Sequence, residues 1–135
     1  MTAKDVLLAW VDAFNRRDAD ALIPLYHPEA TNHQVAAGEP VVGRDAIVRD
    51  SRMFFAAFPD SYTHLEAIYQ DGEWVMIEWS GGATWLGEFA GRKPNGKTFK
   101  IRGCGFFHVV DGQIRFQRGY WDRAGWFLQL GIPVE

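Results

Sequence analysis

Asp122 is the residue that most invites chemistry in this chain, because it follows Phe116, Tyr120 and Trp121 at the end of an aromatic stretch. In a strand over that stretch, Phe116, Arg118, Tyr120 and Asp122 share one face, and Arg102, Cys104, Phe106 and His108 share a face of the strand before it. A carboxylate on the wall of an aromatic pocket has its charged form disfavoured by desolvation, so its pKa rises and it becomes a usable base near neutral pH. The competing reading is that Asp122 caps a helical turn over 125–130. His108 can donate to a substrate oxygen or share a proton with Asp122; otherwise it is a strand histidine with one satisfied nitrogen. Arg102 can pair with Asp122, which would lower the carboxyl pKa, can bind an anionic group, or can lie along the surface. Asn32 and His33 can donate to a carbonyl as charge develops on it. They are adjacent, so in a regular strand only one faces a given cavity.

These side chains need elements to hold them. Asp111-Gly112 between two long apolar runs predicts a β-hairpin, with Val110 opposite Gln113 and His108 opposite Arg115. Upstream, Thr2 to Asp5 has the form of a capping box, and Leu7, Val11 and Phe14 repeat at helical spacing. Asp18 opens a second, shorter helix that ends near Tyr26, with Pro24 interrupting it and His27-Pro28 stopping it. A short strand is expected over Thr31 to Val35 and a third helix from Gly43-Arg44-Asp45 to Pro59, with Ile47, Phe54 and Phe58 on one stripe. From Ser61 the pattern turns to strands, with a hairpin turn at Asp71-Gly72 and a long strand from Trp74 through Trp79 to Trp85. Gly81-Gly82 suggests a bulge or bend, and Leu86 to Lys97 is too punctuated for regular structure, as in a rim loop or lid. Three helices followed by long strands imply an α+β fold, with the helices packed on a curved antiparallel sheet.

A chain of 135 residues suits a single domain over 1–135. Six Trp and ten Phe are enough to line a cavity for a planar or greasy ligand, although most such rings fill cores or interfaces. The net charge of −3 carries no basic cluster, so nucleic acid is not an expected partner. A single Cys excludes an internal disulfide, and no run is apolar enough for a signal region or a membrane span; the expectation is a cytoplasmic protein. His27, His33, His64 and His108 show no close ligand spacing, so no metal is expected; a His33–His108–Asp122 set would need the fold to assemble it. Cys104 fits a small apolar role.

Several motifs carry a resemblance. They are Arg102-Gly103, Val110-Asp111-Gly112 followed by Ile114, Tyr120-Trp121-Asp122 and Gln129-Leu130-Gly131, together with His27-Pro28-Glu29-Ala30, Asn32-His33, Gly43-Arg44, Ala57 to Asp60, and Gly87 to Gly91 with Asn95-Gly96. The chain resembles the SnoaL-like polyketide cyclases, a branch of the group typified by nuclear transport factor 2 and ketosteroid isomerase. The resemblance implies a cone of sheet and helices around one pocket (an NTF2-like fold) and a homodimer joined through the outer sheet face. It implies Asp122 as general acid/base and His108 as its functional partner, and it matches Asn32-His33 to a pair common in the ester-cyclase branch. Two positions depart from the pattern. Phe106 stands where the cyclases carry a polar partner, and Trp85 where the ester-cyclase branch often carries His; an indole cannot take a proton.

The leading expectation is therefore a cofactor-independent acid/base enzyme, a cyclase or isomerase, acting on a hydrophobic carbonyl compound such as a polyketide. Asp122 would take the α-proton, while His33, Asn32, Tyr26 or His108 stabilises the oxygen. Tyr26, Trp79, Trp85, Arg102, Phe106 and Tyr120 would contact substrate. Two alternatives stand beside it: hydrolysis of an epoxide by Asp-activated water, which would want a second carboxylate, and non-catalytic binding of a hydrophobic small molecule.

Overall fold

The structure is a computed structural model, and it describes residues 1–134. Helix α1 (Ala3–Asn15) starts at the expected capping box: Thr2 Oγ1 accepts from Asp5 N at 3.1 Å, and Asp5 Oδ2 accepts from Thr2 N at 3.0 Å. Its stripe of Val6, Leu7, Trp10 and Val11 is buried against the sheet. Asp18 caps α2 (Ala19–Leu22) by accepting from Ala21 N at 3.1 Å, and Pro24 lies in the 3-10 turn that follows. The chain is extended from Tyr26 onward, earlier than the expected start at Thr31, as β1 (Tyr26–Gln34). A register shift between Tyr26 and Thr31 absorbs His27-Pro28, since proline gives no ladder N–H.

After the short β2 (Val41–Val42), α3 (Arg44–Ala57) packs across β1. Then come β3 (Tyr62–Asp71), β4 (Trp74–Thr84), β5 (Thr98–Val110), β6 (Gln113–Trp121) and α4 (Arg123–Leu130). The sheet order is β2-β1-β6-β5-β4-β3. One pairing departs from the wholly antiparallel expectation: β1 runs parallel to β6. The chain reaches β6 from β1 only after all the other strands, and a connection of that length permits a parallel return that a short hairpin cannot make.

The central hairpin forms at Asp111-Gly112, with φ of 52° and 78° and Val110 opposite Gln113. A shift between His108 and Val109 then sets His108 opposite Phe116 rather than Arg115. Odd-numbered residues of β5, such as Phe99, Ile101 and Phe107, point toward the helices. One core cluster lies under α1, α2 and α3; a second gathers Phe58, Trp85, Phe99, Trp126 and Leu130 at the α4 end.

The segment from Leu86 to Lys97 is a fixed rim rather than a lid. Leu86 N and Gly87 N both donate to Ala57 O, at 2.9 and 3.0 Å, and Asn95 Nδ2 donates to Leu130 O at 2.9 Å. A Cβ at Gly87 would come within 2.4 Å of Ala56 O, so the close approach to α3 requires glycine there. Gly81 and Gly82 sit inside continuous β4, where a Cβ would meet the neighbouring strand carbonyls; the sheet's bulge falls instead on β3, between Leu65 and Ala67. No helix among the described residues is long and apolar enough to cross a membrane.

Candidate functional site

Between the inner sheet face and the helices lies a cavity of about 260 Å³. That is at the small end of ligand sites, which run from roughly 300 Å³ upward. Trp10, Trp79, Phe99, Phe107, Trp121 and Trp126 supply most of its wall. Trp126 joins the floor cluster under α4, while Asp50 and Tyr62 are exposed and sit at the mouth. Gly103 makes room for Trp79: a Cβ there would fall 2.6 Å from the indole ring.

Two amides inside the cavity have their orientation fixed by hydrogen-bond relays that each begin at a donor-only indole. Trp10 Nε1 donates to the Tyr26 hydroxyl at 2.9 Å, and that hydroxyl donates to Gln117 Oε1 at 2.5 Å. An indole N–H can only donate, so the Tyr26 proton is directed to Gln117, whose oxygen is thereby occupied. The Gln117 NH2 is left for the cavity it lines. The second relay has the same logic. Trp121 Nε1 donates to Gln34 Oε1 at 2.8 Å, and Gln34 Nε2 donates to Asn32 Oδ1 at 2.7 Å, which leaves the Asn32 NH2 as a donor. Gly119 leaves no slack in this relay, since a Cβ there would lie 2.2 Å from Gln34 Oε1. Asn32 and Gln117 are direct partners on β1 and β6, strands about 4.8 Å apart, so both NH2 groups can reach one oxygen. Burial holds the Tyr26 phenol well above its usual pKa, so it is a neutral donor to Gln117 rather than an acid for the substrate. Ser61 Oγ and Trp126 Nε1, both on residues that line the cavity, are buried without a partner.

Of the residues singled out by sequence, Asn32, Trp79 and Cys104 line the cavity. Tyr26 is not part of the lining but supports Gln117 from behind. His33 pairs with Arg118 in the ladder and faces outward with it. His108 is also on the outer face, stacked on Trp74 with ring centres 4.8 Å apart and its Nε2 3.1 Å from Glu73 Oε1. Phe106 and Tyr120 meet edge to face on that outer surface, and the Arg118 guanidinium lies 5.6 Å from the Phe106 ring. Arg102 is exposed opposite Ser80. Trp85 is buried in the second core cluster, its indole donating to Gly87 O at 2.7 Å. Asp122 is exposed, caps α4 by accepting from Gly125 N at 2.8 Å, and is absent from the cavity lining.

The expected pocket face is thus corrected: along β5, and along β6 beyond Ile114, the face that carries Arg102, Phe106, His108 and Tyr120 is the outer one, because the helices cover the face that carries Phe99, Phe107 and Gln117. Asp50, Gln34, Gln117, Trp121 and Trp126 line the site although the sequence reading passed over them. For Asp50 a signal was present, since 47, 50, 51 and 54 share one helical face. Gln117 carried no such signal: it is three residues from Ile114, so strict alternation sets the two on opposite faces, and both turn inward only because the ladder shifts register beside Val109. No group of three or more His, Cys, Asp or Glu side chains comes together among the described residues.

A family model described as SnoaL-like polyketide cyclase matches residues 4–130. The chain belongs to the SnoaL-like polyketide cyclase family. Solved structures agree with the assignment. IdmH from Streptomyces antibioticus, a proposed polyketide cyclase, is 26% identical with a TM-score of 0.82, over 98% of this chain and 100% of its own. A proposed polyketide cyclase from Xanthomonas campestris is also 26% identical, with a TM-score of 0.81 over 95% of this chain and 96% of its own. A protein of ketosteroid isomerase-like fold from Catenulispora acidiphila, solved with trimethylamine, is 20% identical with a TM-score of 0.81, over 98% of this chain and 96% of its own. No curated protein sequence matches the chain. The SnoaL-like assignment and the ketosteroid isomerase-like neighbour bear out the α+β, NTF2-like cone, and family membership points to cofactor-independent cyclase or isomerase chemistry.

Proposed function

We propose that this SnoaL-like chain is a cofactor-independent acid/base enzyme that enolises a hydrophobic carbonyl compound, as a cyclase or isomerase does. The observation that carries this reading is the pair of amide NH2 groups on Asn32 and Gln117, whose own oxygens are occupied by Gln34 and Tyr26. Preset donors in an apolar cavity need no reorganisation when charge builds on a carbonyl oxygen, and each is worth about 3 kcal/mol in such sites. The resemblance implies Asp122 as the base; to work as one, its carboxylate must leave the Gly125 N–H that it caps. Epoxide hydrolysis is less well supported, because the described lining holds one carboxylate, Asp50, where that chemistry wants two. Non-catalytic binding of the same compounds is the second reading, favoured by the uncharged side chains deep in the cavity. We also propose that the outer sheet face joins two copies of the chain.

The test is tryptophan fluorescence, since four of the six indoles line the cavity. Titration with the ketone 2-tetralone and its hydrocarbon counterpart tetralin should show the ketone binding more tightly. Gln117→Leu should remove about tenfold of the ketone's affinity, near the worth of one hydrogen bond, and leave tetralin unchanged. Equal losses for both compounds would mean that Gln117 shapes the cavity without reading an oxygen.

A further inference from the structure

We propose that Asp50 is the proton acceptor of this site; the proposal rests on the carbonyl-enolising function above. Helix α3 turns one stripe to the cavity, Ile47, Asp50, Ser51 and Phe54, at the three- and four-residue spacing of a single helical face. Ile47 is wholly within the core, and an amphipathic helix of this kind reserves such a stripe for apolar residues. Asp50 is at the exposed edge of that stripe, so its carboxylate is solvated on one side and adjoins the cavity on the other.

Asp50 is also the one carboxylate in the described lining, which contains no His and no Lys. The lining includes one cationic residue, Arg118, but its guanidinium is on the outer face between Phe106 and Phe116. Among the described residues no donor hydrogen-bonds to the Asp50 oxygens, and the one cation within 4 Å is Arg49 Nη2 at 3.7 Å, a loose pair between exposed groups. Asp122, by contrast, holds the start of α4 and stands outside the lining. Because α3 packs on β1, Asp50 looks into the cavity from the helix wall, while Asn32 and Gln117 look in from the sheet.

The step balances without a co-reactant. The C–H bond α to the carbonyl breaks and its proton bonds to an Asp50 oxygen. The electron pair moves into an enolate whose oxygen accepts from the Asn32 and Gln117 NH2 groups. Asp50 then returns the proton to the same carbon or to a conjugated one; alternatively the enolate carbon attacks a second carbonyl of the same molecule, whose π pair moves onto its oxygen, and that alkoxide takes the proton held by Asp50. Since Asp50 is at the water-facing mouth, its proton exchanges with solvent between these steps. In D2O the substrate should therefore gain deuterium.

The experiment is deuterium uptake at the α-carbon of 2-tetralone in D2O, followed by proton NMR, with affinity measured in parallel by tryptophan fluorescence. The wild type should exchange faster than buffer. Asp50→Asn should lower that acceleration by at least about 100-fold, the usual worth of a general base, and keep ketone affinity within about twofold. Asp50→Glu should restore part of the rate, and Asp45→Asn, on the same helix but outside the cavity lining, should exchange at the wild-type rate. Wild-type exchange that persists in Asp50→Asn and disappears in Asp122→Asn overturns the assignment and leaves the enzyme reading intact. A wild type that binds the ketone and never exceeds the buffer rate overturns both. Asn is isosteric with Asp at this exposed helix position, so folding is not at risk; a thermal melt of each variant checks it.

Discussion

At the scale of single residues, the site depends on which end of an amide faces the cavity. Asn and Gln each carry a donor end and an acceptor end of nearly the same shape, and only their neighbours decide between them. Trp10 and Trp121 make that decision here, because indoles donate and never accept. Tyr26 passes the Trp10 constraint on to Gln117, and its burial holds the phenol's pKa well above its usual value, so it stays a neutral donor. Replacing Tyr26 with Phe leaves Trp10 Nε1 without an acceptor and Gln117 Oε1 without a donor, both in buried surroundings. The variant should lose about 1–3 kcal/mol of stability in urea melts, the cost of stranding such groups. Its Gln117 amide becomes free to turn, so the preference for 2-tetralone over tetralin should narrow. Unchanged stability with the preference intact would mean that Gln117 is held by something other than Tyr26. None of this orientation was legible in the sequence. Alternation did separate Asn32 from His33, and the structure turns Asn32 inward, but the partners that fix its amide are brought together only by the sheet.

At the scale of elements, the junctions around the cavity are pinned by short polar contacts. Asp60, just beyond α3, accepts from Thr84 Oγ1 at 2.7 Å and from Thr84 N at 2.8 Å, tying the helix end to the end of β4. These bonds, the side-chain one foremost, hold the Asp60 carboxyl below its ordinary value of 3.8. A depressed folded-state pKa contributes stability above the unfolded value, and that contribution is lost as pH falls through the folded value. Asp60→Asn should therefore melt below the wild type at neutral pH, with the gap closing as the pH drops under about 4. A gap that stays constant with pH would assign the loss to geometry rather than to charge. Asp60 is mostly solvated, so the effect is expected to be small. Element types and order were largely legible here, because caps, turns and helical stripes are local signals. Thr2 with Asp5, Asp18, and Asp111-Gly112 each did what its chemistry suggested. The parallel β1–β6 pair and the bulges were not legible, since they depend on how distant strands meet.

At the scale of the whole molecule, the hardest feature to read was which side of the sheet is inside. Strand alternation usually answers this by setting apolar residues against polar ones. In β5 and β6 both faces are aromatic: Phe99, Ile101, Phe107 and Trp121 inside, Phe106, Phe116 and Tyr120 outside. A one-residue difference in parity moves every side chain to the other face, so His108, Arg102 and Phe106 were assigned to the wrong one. The outer aromatic face then needs its own explanation. Tyr69, Trp74 and Tyr120 are 64%, 38% and 44% exposed, close to half-buried Met76, Phe106 and Phe116, and Arg118 has a buried Nε without a partner. An exposed apolar surface of this extent is uncommon on a chain that works alone. Pairing two sheets face to face would cover it, and a stable pair needs about 800 Å² from each copy. Light scattering at micromolar concentration should give twice the chain mass. Tyr120→Glu should give the monomer mass, because it sets a charge against an aromatic partner surface. The same variant should keep its affinity for 2-tetralone, since Tyr120 is on the far side of the sheet from the cavity. A wild type that runs as a monomer would leave the aromatic face to a different partner, and a Tyr120→Glu dimer would move the contact to another surface.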